Sequence, residues 1–401
     1  MKKLLLATTV LAGIVAGTPT AALSDGHEVK MGVILGFTGP IESLTPGMGS
    51  AAELAWAEAS ESGNLFDGKK IVSVRADSTC IDAAAATAAA ERLVTSDGVA
   101  AIMGADCSGV TTAIVNSVGA PNGVAMISPS ATSPALTTIE DKGFFFRTAP
   151  SDARQGQILA DIVIDRGVKE VAITYTNNDY GKGLADSFGN AFKAKGGKVT
   201  IVAAHEDGKA DYSAEVGALA ASGAKELVVF GYVDQGGKGI VQTSLDTGAF
   251  DRFIFADGMI GQSIIDSVGD DLTGSFGTAP GSDSDGAKIF LELAKGKVSG
   301  DGKGPFDGHS YDAGAILALA MQAAKSTDRA AIQAKIMEVA NAPGEKIKPG
   351  EIGKALKILA EGGQVNYEGA TGVEFNEVGE VFGSYKELEV KGGEFATIKI
   401  R

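Results

Sequence analysis

Apolar positions along the chain fall in short, near-continuous runs: Val29–Leu35, Ile71–Ala76, Val99–Met103 and Val124–Ser128. Between them lie alanine-rich stretches with helical spacing, Gly47–Ser60, Asp82–Thr95 and Ser108–Val118. Strands apolar on both faces and separated by helices of this length predict a parallel sheet covered on both sides. After Phe144–Thr148 the rhythm restarts with strands at Val171–Tyr175, Val199–Ala204, Leu227–Phe230 and Phe253–Ala256. The second set of helices is expected at Ala153–Asp165, Gly183–Lys195, Ser213–Ala221 and Gly237–Thr247. Two successive βαβ series predict an α/β fold of two doubly wound parallel-sheet lobes.

From Asp283 to about Gly362 the pattern turns helical, with Gly286–Ala294, His309–Ala324, Arg329–Val339 and Glu351–Leu359 as candidates. The tail reads as β at Val373–Phe375, Val381–Leu388 and Phe395–Ile400, with a turn at Asn376–Gly379. A chain that completes two α/β units and then continues is expected to return to each. Lobe 1 is assigned residues 24–149 and 281–365, and lobe 2 residues 150–280, with 366–401 adding strands to lobe 2 and to a hinge of several crossings.

The chain has 401 residues, enough for two domains, with 35 Lys+Arg against 50 Asp+Glu for a net charge of −15. So acidic a body disfavours nucleic acid as a partner. The 55 glycines, with no collagen-like period, fit many tight strand–helix turns. Met1-Lys2-Lys3, the uncharged run Leu4–Gly17 and the small residues up to Ala22 read as a secretory signal peptide over residues 1–23. Cleavage is expected after Ala22 or Ser24, and the run is short for a membrane anchor. The implied location is a Gram-negative periplasm. There Cys80 and Cys107 are expected to form a disulfide, two free buried thiols being the alternative.

Motifs for catalysis fail. There is no Gly-x-Ser-x-Gly elbow. Gly237-Lys238 lacks the first glycine of a phosphate loop, with Tyr232 in its place and Gly239 after the lysine. Gly47-Met48-Gly49-Ser50-Ala51-Ala52 lies too far beyond Leu35 for a dinucleotide fingerprint. His27, His205 and His309 are scattered without ligand spacing. No metal, no cofactor and no enzymatic activity are therefore expected. What remains is a set of hydroxyl residues beyond strand ends: Ser108, placed to cap the helix it begins, and the segment Ser128-Pro129-Ser130-Ala131-Thr132-Ser133-Pro134. In an open parallel sheet ligands sit beyond the carboxyl ends of strands, where helix N-termini suit a carboxylate. The plainer alternative is that these residues only cap helices and turns. Asp257 ends the strand Phe253–Ala256 and is either a cleft carboxylate in need of a cation, such as an ammonium group, or a solvated loop residue.

The order of several local motifs resembles the type I periplasmic binding proteins of ABC importers, within the leucine/isoleucine/valine-binding group. They are Gly36-Phe37-Thr38-Gly39-Pro40, Asp77-Ser78-Thr79-Cys80, Gly104-Ala105-Asp106-Cys107-Ser108, Met126–Pro134, Phe146-Arg147-Thr148, Asn178-Asp179-Tyr180-Gly181-Lys182-Gly183 and Tyr311-Asp312-Ala313. Both cysteines stand where that family has a disulfide. The resemblance implies that Ser108, Ser130 and Thr132 hold a ligand carboxylate and part of its ammonium, that Asp257 pairs with the ammonium, and that Tyr180 closes over the ligand from lobe 2. Leu44 stands where the family often has an aromatic ring. A lobe-2 tyrosine of the family aligns with Val233, a single-residue slip from Tyr232. Asp257 is one methylene shorter than the family's usual glutamate. Asp106 adds a carboxylate that either faces away from the cleft or favours a ligand with an extra donor. The segment Pro343–Gly369 is long for the leucine-binding type. The implied function is a monomeric receptor that takes a small amino acid between its lobes and delivers it to an ABC permease at the inner membrane. The alternatives are a receptor for a small amide, urea or organic acid, or a ligand-sensing module of the same fold.

Overall fold

The computed structural model describes residues 27–401, so the leader expected over residues 1–23 lies outside the described residues. Two sheets organise the chain. The first holds β1 (Glu28–Leu35), β2 (Lys70–Asp77), β3 (Ile102–Gly104), β4 (Met126–Ser128) and β5 (Phe145–Arg147). They run in the order β2-β1-β3-β4-β5 and all pair in parallel. Every residue of β3, β4 and β5 is buried, which accounts for their mainly apolar character; the polar exceptions, Ser128 and Arg147, are the last residues of β4 and β5.

The second sheet contains β6 (Glu170–Thr176), β7 (Lys198–His205), β8 (Glu226–Phe230), β9 (Phe253–Phe255) and β10 (Phe276–Pro280). A short parallel pair, β11 (Glu345–Ile347) and β12 (Val365–Tyr367), stands apart from both sheets. The tail supplies β13 (Tyr385–Lys391) and β14 (Glu394–Ile400), antiparallel additions that complete the order β14-β13-β10-β9-β8-β6-β7. The five parallel strands of each lobe thus repeat one winding, in which the first strand lies between the second and the third. Each lobe has its topological switch point there, beside β1 and β3 in one and β6 and β8 in the other.

Strand β10 carries no clear signal in the sequence. It reads Phe-Gly-Thr-Ala-Pro, and Gly277 is needed because a Cβ there would sit 2.3 Å from the Phe255 carbonyl oxygen of β9. Conversely, the strand expected at Val373–Phe375 makes only an isolated bridge from Phe375 to Val381. Among the described residues no helix is long and apolar enough to cross a membrane.

Residues 285–360 return to the first lobe. The helix Asp307–Ala324 is buried along nearly its whole length and crosses the helix Thr45–Glu61 closely. Trp56 Nε1 donates to Gly314 O at 2.9 Å, and a Cβ on Gly314 would stand 2.9 Å from Ala52 O. The return to lobe 2 comes later than residue 366. Asp312 accepts from Tyr367 Oη (2.8 Å), Ala370 N (2.8 Å), Thr371 N (2.9 Å) and Thr371 Oγ1 (2.6 Å), and Phe375 N donates to Asn341 Oδ1 at 2.8 Å. Buried Arg147 pairs with Glu380, and only then does the chain cross. The crossings lie side by side: Gly281 N donates to Ser384 O at 2.9 Å and Tyr385 Oη to Ser151 O at 3.2 Å. This bundle is the hinge. The bridge Cys80–Cys107 is formed, with the two Cα atoms 5.2 Å apart, and ties the loop after β2 to the loop after β3.

Candidate functional site

The loops leaving the carboxyl ends of the two sheets face one another across a narrow cavity of about 20 Å³. After β1 come Ile41 and Leu44; after β3 come Asp106, Cys107 and Ser108; after β4 comes Ser130. From the other lobe, Tyr180 follows β6, Tyr232 follows β8, and Asp257 and Gly258 follow β9. Phe306, just before the helix Asp307–Ala324, completes the wall. The cavity therefore sits where doubly wound sheets place ligands, with both switch points contributing.

Ser108 does not cap its own helix. The N-cap position is Cys107, without a side-chain cap, and Ser108 Oγ instead accepts from Ser133 N at 3.1 Å. That bond draws the loop after β4 against the start of the helix, so the two hydroxyl segments form one surface. Ser130 Oγ donates to Asp106 O at 3.1 Å, and Ser128 Oγ accepts from Ser130 N and Ala131 N. Arg147 braces the same loop from beneath, donating to Ala131 O (3.2 Å) and Ser133 O (2.9 Å). Thr132 is wholly buried behind the cavity wall rather than on it, and its Oγ1 has no hydrogen-bond partner.

Asp257 is 2% exposed, so it is no solvated loop residue. Its Oδ1 accepts from Tyr180 Oη at 3.1 Å, and Tyr180 Oη in turn accepts from Gly258 N at 3.2 Å. Burial raises the Asp257 carboxyl to about 6, against the donors Tyr180, Gln155 and the backbone that favour its charge. The Tyr180 ring stacks on Tyr232 at 5.3 Å between centroids and 16° between planes. Tyr232, not Val233, faces the cavity; Val233 is wholly buried and lies against Gly261.

Asp106 reaches the cavity wall, but both oxygens are engaged. Oδ2 accepts from Gly36 N at 2.5 Å and Oδ1 from Ser78 Oγ at 2.9 Å, so this carboxylate braces the β1 and β2 loops. Burial pushes it up, and these donors pull it down.

The lobes touch in this structure. Asp234 N donates to Pro40 O at 2.9 Å, and Ser43 N donates to Asp234 Oδ2 at 2.8 Å. Ser263 Oγ donates to Asp234 Oδ1 at 2.7 Å and lies 3.2 Å from Ser43 Oγ. On the opposite side Ser133 Oγ donates to Asp179 O at 3.1 Å. The arrangement is a closed one.

Leu44, Ser108, Ser130, Tyr180, Tyr232 and Asp257 thus meet at one cavity, and Thr132 stands one layer behind. Sequence reasoning missed Ile41, Phe306 and Gly258 on the wall and Asp152 and Gln155 beneath it. Gly258 shows its role only in the fold, where a Cβ would lie 2.6 Å from Gly231 O and 2.8 Å from Tyr180 Oη.

Residues 28–364 match the family model described as periplasmic binding protein. The Leu/Ile/Val-binding protein homolog 3 of Brucella melitensis is 33% identical over 239 residues, 58% of this chain and 61% of that protein. The leucine-specific-binding protein of Salmonella typhimurium is 28% identical over 79% of this chain and 84% of its own length. Among solved structures, a leucine-binding protein of Thermotoga maritima superposes with a TM-score of 0.77 at 24% identity, covering 93% of this chain and 98% of that one. By its match over residues 28–364 and by the two-lobed winding, the chain belongs to the periplasmic binding protein family.

Proposed function

We propose that the protein is a periplasmic receptor that captures a small zwitterionic amino acid between its lobes and hands it to an ABC-type permease at the inner membrane. A single chain supplies both walls of the cleft, so the receptor acts as a monomer. The reading requires no bond to be made or broken.

The observation that carries it is Asp257. A carboxylate buried to this depth costs free energy unless a cation meets it. The groups acting on it most strongly are Tyr180, Gln155 and backbone N–H donors, not a lysine or arginine. An ammonium group in the cavity supplies the missing charge. Across the cavity, Ser108 Oγ still has its proton to donate and the start of its helix adds backbone N–H groups for a carboxylate; Ser130 Oγ joins them on releasing Asp106 O, with Thr132 completing the shell. Ile41, Leu44, Phe306 and Tyr232 surround the remaining, apolar part. A ligand held by groups on both lobes stabilises the closed form alone, which is the signal a permease reads. The curated names of the Brucella and Salmonella relatives point the same way.

A thermal-shift panel of amino acids, amides and organic acids tests the ligand class. Bound ligand raises the unfolding midpoint through RT ln(1 + [L]/Kd). The amino acid giving the largest shift is then titrated calorimetrically into Asp257→Asn. Losing one partner of a buried charge pair costs about 2–5 kcal/mol, so affinity should fall by a factor of about 30 or more. Unchanged affinity would remove the ammonium assignment. A response to organic acids alone would favour a ligand like that of the Rhodopseudomonas palustris structure solved with 4-hydroxybenzoate, which superposes with a TM-score of 0.76 at 20% identity.

A further inference from the structure

Beneath Asp257, in the hinge, lies a second carboxylate that the contacts above do not use. Asp152 opens the helix Asp152–Asp165 and is wholly buried. Its backbone N–H donates to Thr132 O at 2.9 Å, which fastens it to the hydroxyl loop of lobe 1. Neither of its carboxylate oxygens has a well-formed hydrogen bond, although the Thr132 hydroxyl lies near enough to favour its charge. Thr132 Oγ1 and Gln155 Oε1, the latter three residues on along the same helix, are also unpartnered. Gln155 Nε2 donates to Thr278 O at 3.3 Å and Thr278 Oγ1 at 3.1 Å, which fixes its amide beside Asp257. Four buried acceptor or hydroxyl atoms therefore gather behind the cavity without partners of their own.

The charged and titratable groups around Asp152 come from every element packed on it. Asp257 faces it from the loop after β9, Arg147 from β5, Tyr180 from the helix Asp179–Ala194, and Tyr385 from β13. Arg147 is the cation acting on Asp152; its two terminal nitrogens are committed to Glu380, Ala131 O, Ser133 O and Thr137 Oγ1, and only its Nε is without a partner. Two buried carboxyls whose charges act on one another, with a single arginine already paired to Glu380 beside them, cannot both ionise cheaply.

We propose that Asp152 is a positioning residue for the ligand's ammonium group: with Asp257 it forms a buried carboxyl pair that holds one proton in the unliganded protein. When an ammonium enters, it neutralises the pair electrostatically, the shared proton leaves to the buffer, and both groups stay ionised around the cation. Burial first, and the Asp257 charge second, push the Asp152 carboxyl well above its ordinary range, and the Thr132 hydroxyl and Arg147 only partly oppose this. The proposal rests on the amino-acid reading and sharpens it. A ligand carrying an ammonium releases a proton on binding, whereas a neutral amide gives no reason for release.

The test is calorimetric titration of the full chain, without its leader, with L-leucine and with L-alanine as the smaller probe. Running each titration in phosphate and in Tris separates proton release from the intrinsic heat, because the two buffers differ in ionisation enthalpy. About 0.5–1 proton should be released per amino acid bound near pH 7, with affinity rising severalfold per unit between about pH 6 and pH 8. In Asp152→Asn the release should fall below about 0.2 and the pH profile should flatten, while Asp152→Glu keeps the release. A merely structural role for Asp152 would lower stability and leave proton release unmoved, and that result overturns the proposal. So does binding to the parent protein without proton release, which needs no variant to fold. If neither amino acid gives any binding heat, the amino-acid reading itself falls and takes this proposal with it.

Discussion

Closure in this receptor is held partly by a bond that no ligand touches, and removing it should weaken ligand binding from a distance. Asp234, in the loop after β8, accepts from Ser43 N of lobe 1 at 2.8 Å and from Ser263 Oγ of its own lobe at 2.7 Å. Only the first bond forms on closing. A hydrogen bond to a charged group is worth roughly 1.5–3 kcal/mol when buried, and this one lies at the solvent-exposed mouth, so about 1–1.5 kcal/mol is a fair value. Asp234→Ala leaves its own N–H free to donate to Pro40 O, so of the bonds between the lobes that Asp234 makes only the one from Ser43 N is lost; the bond from Ser263 Oγ, within lobe 2, goes in open and closed forms alike. If the unliganded protein is mainly open, that loss passes entirely into the apparent affinity, raising Kd about 5- to 13-fold. Asp234→Asn keeps a neutral acceptor and should fall between. The assay is calorimetric Kd for the amino acid that gives the largest thermal shift, paired with small-angle scattering of the unliganded protein. An open unliganded form together with a Kd within about twofold of the parent's would refute the argument, because closing would then not draw on this bond.

Replacing both Cys80 and Cys107 by serine opens a loop spanning 27 residues, and unfolding in urea should show a stability loss of about 3–4 kcal/mol on the chain-entropy account. Arg147→Ala strands Glu380, only 8% exposed, and frees the carbonyls of the hydroxyl loop. It should cost about 3–5 kcal/mol by the same assay, and Arg147→Lys should recover only part of that, since one ammonium cannot span the carboxylate and the carbonyls at once. Asp307 is pushed up to about 7 by burial, against the Gly304 N–H that donates to its Oδ2. The folded chain therefore holds a proton there that the unfolded chain gives up, so stability falls as pH rises from about 4 toward 7. Asp307→Asn should flatten that slope and raise the unfolding midpoint at about pH 8, an effect on the order of 2–4 kcal/mol.

Most of the architecture was legible because a parallel sheet buried on both faces writes itself as apolar runs, and in the two main sheets the nine parallel strands other than β10 all overlap such runs, whereas the small parallel pair β11 and β12 does not. Helix starts were less so. The helix Asp179–Ala194 begins four residues before the expected Gly183, because Asn178 Oδ1 caps it by accepting from Gly181 N. Strand β10 was invisible because its identity comes from its neighbours: Gly277 exists to let β9 approach, not to pack a side chain. The later return to lobe 2 follows from Asp312, whose four donors lie 55 to 59 residues ahead of it in the chain and leave no local pattern.

The site divides along the same line. Ser108, Ser130 and Asp257 were within reach because each stands immediately beyond a strand, and strand ends can be read. Asp152 stands at the start of a helix after Ser151, whose Oγ accepts from Ala153 N, and an aspartate there reads as an ordinary partner for the helix dipole. It acquires another meaning only when the chain crosses the hinge and β9 brings a second buried carboxyl beside it. Phe306 is similar: it precedes a core helix and would pass for core, yet the return of residues 285–360 to the first lobe sets it on the cavity wall. What a receptor of this design needs from its ligand is thus decided at the places where three passes of the chain converge. A substitution in any one pass can alter charge or shape at the cavity without changing a residue that touches the ligand.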